Sequence, residues 1–382
     1  MTIPSNAEHS RVMRALEGGK VTDYDLSRAG ELAHDVYGYD SASYRSYLDW
    51  KWRKNPHGSF VGFCEENNRI IGCGAYTLLP MIIDGVTKRC AIATDLMVHP
   101  EFRRQKIFLD MGQYIAQRTV GVSMAYMIGV EASRIGSMKY FQFKLLGDVP
   151  ILKKYISPLS AAYHLWSYFK GPFTRDGLRY LARLAELIVI TLSGALASLR
   201  FNLGQVSGSS LRGQEGVRVQ ELKPAVFGEE FDKLWEKLSG SFTVAVVRNR
   251  EYLKWRYSNP RSVYVVLRAD QQGSLVGYCV LSYTSRGKLK IAWLVDLLGT
   301  GDEVEFTLLK ESHQRARDDG AHAMIMWNSK RTERSCKSLG LKRAWLSPNG
   351  LTVNILDRDI REDTVNDISN WYLTVADTAD WI

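Results

Sequence analysis

The stretch Ala91–Ile115, AIATDLMVHPEFRRQKIFLDMGQYI, decides how this chain folds: an apolar run, a short cationic segment and an amphipathic run follow one another without a gap. Ile92 to Val98 are apolar and rich in β-favouring side chains, and His99-Pro100 interrupts them, so they predict a buried strand. Phe108, Leu109, Met111 and Ile115 start an apolar face at helical spacing, which predicts a helix from about Ile107. Arg103, Arg104, Gln105 and Lys106 lie between the two. A helix N-terminus offers unpaired N–H groups and partial positive charge, and cations beside it suit a pyrophosphate. The same pattern also describes an ordinary solvated basic loop.

Further along the chain the surroundings of this stretch recur. Tyr47-Leu48-Asp49-Trp50-Lys51-Trp52-Arg53-Lys54-Asn55-Pro56 reappears, one residue shorter, as Tyr252-Leu253-Lys254-Trp255-Arg256-Tyr257-Ser258-Asn259-Pro260. Ile92-Ala93-Thr94-Asp95-Leu96 likewise returns as Trp293-Leu294-Val295-Asp296-Leu297. A recurrence of this length implies two copies of one α/β unit, each a helix, then hairpins turning at sites such as Glu66-Asn67-Asn68 and Asp84-Gly85, then strand, loop, helix and strand. Features kept in both copies serve the shared fold, so Trp50, Trp255, Gly72 and Gly277 are assigned to packing. The cationic loop is not kept: the second copy has Gly299-Thr300-Gly301-Asp302-Glu303-Val304-Glu305, whose acids would repel a pyrophosphate.

The segment Asp95 to Phe108 resembles the acyl-CoA signature of the GNAT N-acyltransferases, in which a strand ending in Val-x-Pro leads into an Arg/Gln-x-x-Gly-x-Gly/Ala loop. Arg103 matches the first loop position, while Lys106 and Phe108 replace the two small residues. The resemblance implies that Leu96, Met97 and Val98 hold the pantetheine arm and that Arg103, Arg104, Gln105, Lys106, Ile107 and Phe108 hold the pyrophosphate of acetyl-CoA or another acyl-CoA. It implies no metal. The family's tyrosine acid falls at Met138, with Tyr140 out of register and Gln142-Phe143 in place of a Gly-Phe pair.

Such a transfer needs a group to take the proton of the attacking amine. Asp95 and Glu131 are the candidates. Asp95 lies on the donor strand but has a counterpart in Asp296, which leaves a structural role equally open. Glu131 follows the apolar segment Ala125 to Val130, the expected fifth strand, and the matching position holds Asn328. A strand-end glutamate is also common as plain surface. His99, beside Pro100, is assigned to exposed turn chemistry.

The fold class expected is α/β (α+β): two tandem GNAT-like domains, each a mixed, mostly antiparallel sheet flanked by helices. The boundaries are 1–20 for an N-terminal tail, 21–155 for the domain with the acyl-CoA site, 156–215 for a helical insert and flexible linker, and 216–382 for a second domain with a degenerate loop. Within the insert, Leu187–Leu199 is an uncharged, mainly apolar run too short to span a bilayer, and the arginines around 176–202 leave peripheral membrane contact open.

The 382 residues, 45% of them hydrophobic, suffice for two packed cores, and a net charge of +9 favours anionic partners. Five cysteines without a C-x-x-C pair, and an N-terminus without a signal-peptide core, point to a reducing cytoplasm. The oligomeric expectation is a monomer with an internal pseudo-dimer, or a homodimer.

The acceptor is less determined. The resemblance extends to bacterial tandem proteins of sugar and exopolysaccharide metabolism, which implies a small amine, an amino sugar or a sugar nucleotide, with Tyr37, Tyr39, Tyr76 and Trp52 available for ring stacking. Two other readings stay open: a transferase using aminoacyl-tRNA, against which the phosphate loop argues, and a non-catalytic binding protein on a degenerate fold.

Overall fold

The computed structural model describes residues 11–129, 131–156, 216–222, 226–286, 289–344 and 349–378. Of the expected helical insert and linker, 156–215, all but the first residue lies outside the described residues. Within them no helix is long and apolar enough to cross a membrane.

The chain enters through β1 (Val12–Glu17), so part of the expected tail is an edge strand paired antiparallel with β2 (Ser59–Glu66). Helices α1 (Asp23–Tyr37) and α2 (Ser41–Leu48) come between them. A reciprocal capping box fixes the start of α1, with Thr22 and Asp25 each accepting from the other's backbone N–H. Strands β3 (Arg69–Ile83) and β4 (Val86–Val98) follow as hairpins whose turns, at Asn67-Asn68 and Asp84-Gly85, have positive φ throughout. After β4 come α3 (Ile107–Ala116), β5 (Met124–Gly129), α4 (Glu131–Phe141), β6 (Lys144–Val149) and β7 (Ile151–Tyr155).

The second half contains β8 (Val217–Leu222), α5 (Glu229–Ser239), β9 (Val244–Val246), α6 (Arg250–Arg256), β10 (Tyr264–Gln271), β11 (Ser274–Arg286) and β12 (Leu289–Gly299). It continues with α7 (Asp302–Asp318), β13 (Ala323–Trp327), α8 (Glu333–Leu339), β14 (Lys342–Arg343), β15 (Asn349–Ile355) and β16 (Trp371–Tyr372).

The described strands form two mixed sheets with matching layouts. The first runs β1-β2-β3-β4-β5-β15-β6, and the second, read from β8, runs β8-β10-β11-β12-β13-β7-β14. In each the central pair, β4 with β5 and β12 with β13, is parallel, and every other neighbouring pair along these orders is antiparallel. The sheets do not divide at one point in the chain. β15 comes from beyond residue 340 yet sits between β5 and β6, while β7 belongs to the second sheet, between β13 and β14. β9, also from the second half, extends the first sheet by pairing with Met81–Ile83 at the far end of β3.

Where the halves meet, the recurring tryptophans face each other. Trp50 Nε1 donates to the Trp255 carbonyl at 2.7 Å, Trp255 Nε1 donates to the Trp50 carbonyl at 3.1 Å, and the rings stack with centroids 5.0 Å apart. This reciprocity makes the contact locally two-fold, and it lies in a core shared by both halves. Gly72 and Gly277 also occupy matching places: a Cβ would meet the Ile107 side chain at 2.8 Å in one and the Leu298 carbonyl at 2.7 Å in the other, so only glycine lets strand and neighbour approach. All five cysteines are buried free thiols.

Candidate active site

The ladder between β4 and β5 covers only Cys90–Ile92 against Met124–Tyr126. From Ala93 to Val98 the edge of β4 has no ladder to β5, and the two strands part. A register shift opposite Gly74 marks a β-bulge, and Asp95 within it takes φ +54°. A non-glycine residue in the left-handed region costs about 1–2 kcal/mol, and buried bonds hold Asp95 there. Its carboxylate accepts from Lys51 Nζ at 3.0 Å, Trp52 Nε1 at 2.9 Å and Thr94 Oγ1 at 3.2 Å.

This arrangement changes the assignment of Asp95. Both carboxylate oxygens accept from buried donors, and the side chains of Asp95 and Lys51 are 1% and 0% exposed. An anion so held shapes the bulge and is poorly placed to collect a proton from an entering amine. Trp52, read as a ring for stacking, is fully buried in the same network.

The parted strands open a cleft of about 660 Å³. Thr94 to Val98, Arg103 and Phe108 form its donor-side wall, Met127 to Gly129 the opposite wall, and tyrosines of the α1–α2 region its mouth. Leu96, 37% exposed, looks outward, whereas Met97 is buried. Tyr37 and Tyr39 line the mouth and are exposed, while Tyr76 borders a separate small apolar pocket with Phe108, Phe141 and Phe143.

Beyond Val98 the chain makes a single 3₁₀ turn and reaches the cationic loop. Arg103, Arg104, Gln105 and Lys106 are exposed, and among the described residues no acidic side chain forms an ion pair with Arg103, Arg104 or Lys106. Arg104 and Lys106 have φ of +66° and +62°. Lys106 therefore adopts the conformation that glycine takes most readily, although its side chain departs from the small residue expected. It is also the N-cap of α3 and supplies no capping side chain, which leaves the first amides of that helix for an anion. Ile107, the first residue of α3, is buried, and Phe108 packs on Phe141 with ring centroids 5.2 Å apart.

Glu131 is the first residue of α4, next to the end of β5. Met138 and Tyr140 are exposed on that helix and neither lines the cleft, so no described tyrosine takes the position of the expected acid. Gln142, in place of the expected glycine, has φ +58°. His99 differs from its assignment: it is 6% exposed, with Nε2 2.8 Å from Arg69 and 3.4 Å from Asp35, and so ties the end of β4 to α1.

In the second half the equivalent places are sealed by the chain itself. Leu297, the counterpart of Leu96, is 1% exposed, and its carbonyl accepts from the hydroxyl of Tyr372. Asp296 is buried with Arg248, whose guanidinium also grips Asp377 at 2.8 Å. At the start of α7, where the first half has its cationic loop, Glu305 turns inward and pairs with Arg331 at 2.9 Å. Burial pushes the Glu305 carboxyl up to about 7 against the pull of Arg331.

Sequence reasoning missed the contributions of Lys51, Tyr44, Tyr47 and Arg261. The last comes from the second half and places its guanidinium carbon 4.7 Å from the Tyr39 ring centroid and 5.2 Å from that of Tyr47. A signal for it was present: Pro56 is followed by His57, but Pro260 is followed by Arg261.

Residues 26–146 match the model of the acetyltransferase (GNAT) family. No curated protein matches the chain. Among solved structures, a GCN5-related N-acetyltransferase from Anabaena variabilis is 8% identical with a TM-score of 0.59, over 90% of this chain and 73% of that one. A probable N-acyltransferase from Enterococcus faecalis is 9% identical with a TM-score of 0.57, over 91% and 73%. Saccharomyces cerevisiae N-myristoyltransferase, solved with myristoyl-CoA bound, is 11% identical with a TM-score of 0.55, over 90% and 82%. At these identities the likeness is one of fold.

Proposed function

We propose that this chain, whose residues 26–146 match the model of the GNAT acetyltransferase family, is an acyl-CoA-dependent N-acyltransferase with one donor site, in its first half. The observation that carries the reading is the parting of β4 from β5 directly before a cationic loop whose arginines and lysine form no ion pair among the described residues, and a helix N-terminus without a side-chain cap. Arg103, Arg104, Lys106 and the first amides of α3 would take the pyrophosphate, and the open edge at Leu96–Val98 the pantetheine amides. Acyl-CoA, once bound, supplies an activated thioester carbonyl.

The reaction proposed is direct attack in a ternary complex. The acceptor nitrogen adds to the carbonyl carbon, the C–S bond breaks as the C–N bond is completed, and the nitrogen's proton leaves to a base while the thiolate departs. Glu131 is proposed as that base, by its place at the end of β5. Asp95 is proposed as a positioning residue that fixes the bulge and so the direction of the β4 amides. The acceptor is proposed to be a small amine, with an amino sugar or sugar nucleotide among its forms, because Tyr37 and Tyr39 present exposed rings at the mouth.

Titration calorimetry with acetyl-CoA tests the donor site. Binding that is lost in Arg104→Glu is the result expected, and no heat at millimolar CoA overturns the proposal.

A further inference from the structure

The cleft mouth is completed by a residue from the other half of the chain. Arg261 lies between α6 and β10 and reaches across to the tyrosines of the α1–α2 region, its guanidinium carbon 4.7, 5.4 and 5.2 Å from the ring centroids of Tyr39, Tyr44 and Tyr47. Tyr44 and Tyr47 are buried, so the aromatic wall is rigid on its inner side. Among the described residues no acidic side chain forms an ion pair with Arg261. Arg261 donates its backbone N–H to Asn259, and among the described residues its guanidinium N–H groups have no hydrogen-bond partner, so they are available to a ligand.

Among the described residues the charges lining the cleft are Asp95, Arg103 and Arg261. Asp95 is already neutralised by Lys51 at 3.0 Å, which leaves one cation at the donor loop and another at the mouth. The first has a use in the donor phosphates, and the second lies on the side where an acceptor enters. The feature is also not repeated: at the matching position His57 is half-buried, with an Nε2 that has no hydrogen-bond partner. A residue serving only the shared fold would be expected in both places.

We propose that Arg261 is an acceptor-recognition residue and that the natural acceptor is an amine carrying an anionic group, a carboxylate or a phosphate. This rests on the transferase reading above and narrows its acceptor class. The guanidinium fork binds either oxyanion through paired N–H bonds while Tyr39 and Tyr44 hold it in place. The amine is thereby directed inward, toward the parted strands.

The test uses the full chain and amines on matched scaffolds: one set with a carboxylate, one with a phosphate, and their neutral amide and dephosphorylated forms. Binding is measured by calorimetry with and without CoA, and turnover with acetyl-CoA. The expected result is a preference for one anionic set over its neutral form of about tenfold or more in kcat/KM, the size of one charge-assisted contact. Arg261→Ala should raise KM for the anionic amines by a similar factor, leave kcat and CoA affinity unchanged, and leave the neutral amines unaffected; Arg261→Lys should restore part of the preference. Equal use of charged and neutral amines, no binding of either anionic set, or a loss in Arg261→Ala that falls equally on all acceptors overturns the proposal. So does a variant that only melts earlier while its preference persists, since Arg261 is then a clasp between the halves. Failure of CoA to bind refutes the donor site instead, and the binding arm without CoA still reads Arg261 by itself.

Discussion

Lys106, Arg104 and Gln142 keep a glycine-like backbone without being glycine. The side chains of Lys106 and Gln142 departed visibly from the family pattern, but the sequence alone did not show that the left-handed geometry survives. Glu305 makes a complementary point in the second half, where a buried carboxylate occupies the place that cations hold in the first. Its carboxyl is raised from 4.5 to about 7, so the folded state binds this proton more tightly than the unfolded state. The contribution to stability is full below about 4.5 and is lost as pH rises through about 7, on the order of 3 kcal/mol. Glu305→Gln should therefore remove that part of the pH dependence and melt higher than the parent at pH 8 but not at pH 4, as followed by denaturation at the two values. A parent stability that stays level between these values would show that Glu305 is ionised without penalty. From sequence this residue was only an acid repelling phosphate. Its inward turn depends on Arg331, which is 26 residues away and joins the site only through the fold.

At the scale of elements, the strand, loop and helix from Ile92 to Ile115 form as their periodicity predicts, because each is decided by neighbours within a few residues. What could not be read locally is the partner of each strand edge. The bulge at Asp95 depends on a lysine and a tryptophan 44 and 43 positions away, and the cleft depends on the point at which β5 leaves β4. The donor loop carries the prediction at this scale. Arg103→Ala and Arg104→Ala should each raise the KM for acyl-CoA about tenfold with little change in kcat, since phosphate contacts are made equally in ground and transition states. Steady-state kinetics at varied donor concentration checks this. An unchanged donor KM in both variants would move the phosphates elsewhere.

For the whole molecule, the recurrence in the sequence pointed to two similar units, and the matching strand orders agree with it. The exchange of β7 and β15 had no local signal, because nothing within a short strand says which of two similar sheets its edges will join. The reciprocal Trp50–Trp255 contact joins the halves at their centre, so its loss should be felt by both. Trp50→Ala should destabilise the chain by about 3–5 kcal/mol, and unfolding should remain a single transition by fluorescence and circular dichroism alike. Two separate transitions would mean that the halves hold together independently of each other.

The position of β15 bears on how the protein is made. On the ribosome, β5 emerges with one edge bare, and the strand that covers it, Asn349–Ile355, is translated some 220 residues later, a delay of roughly 10–45 s at ordinary elongation rates. During that interval the nascent first sheet exposes an unpaired strand to any other chain able to add to it. Synthesis of this protein therefore includes a vulnerable period, and slowing translation after residue 129 should increase its aggregation.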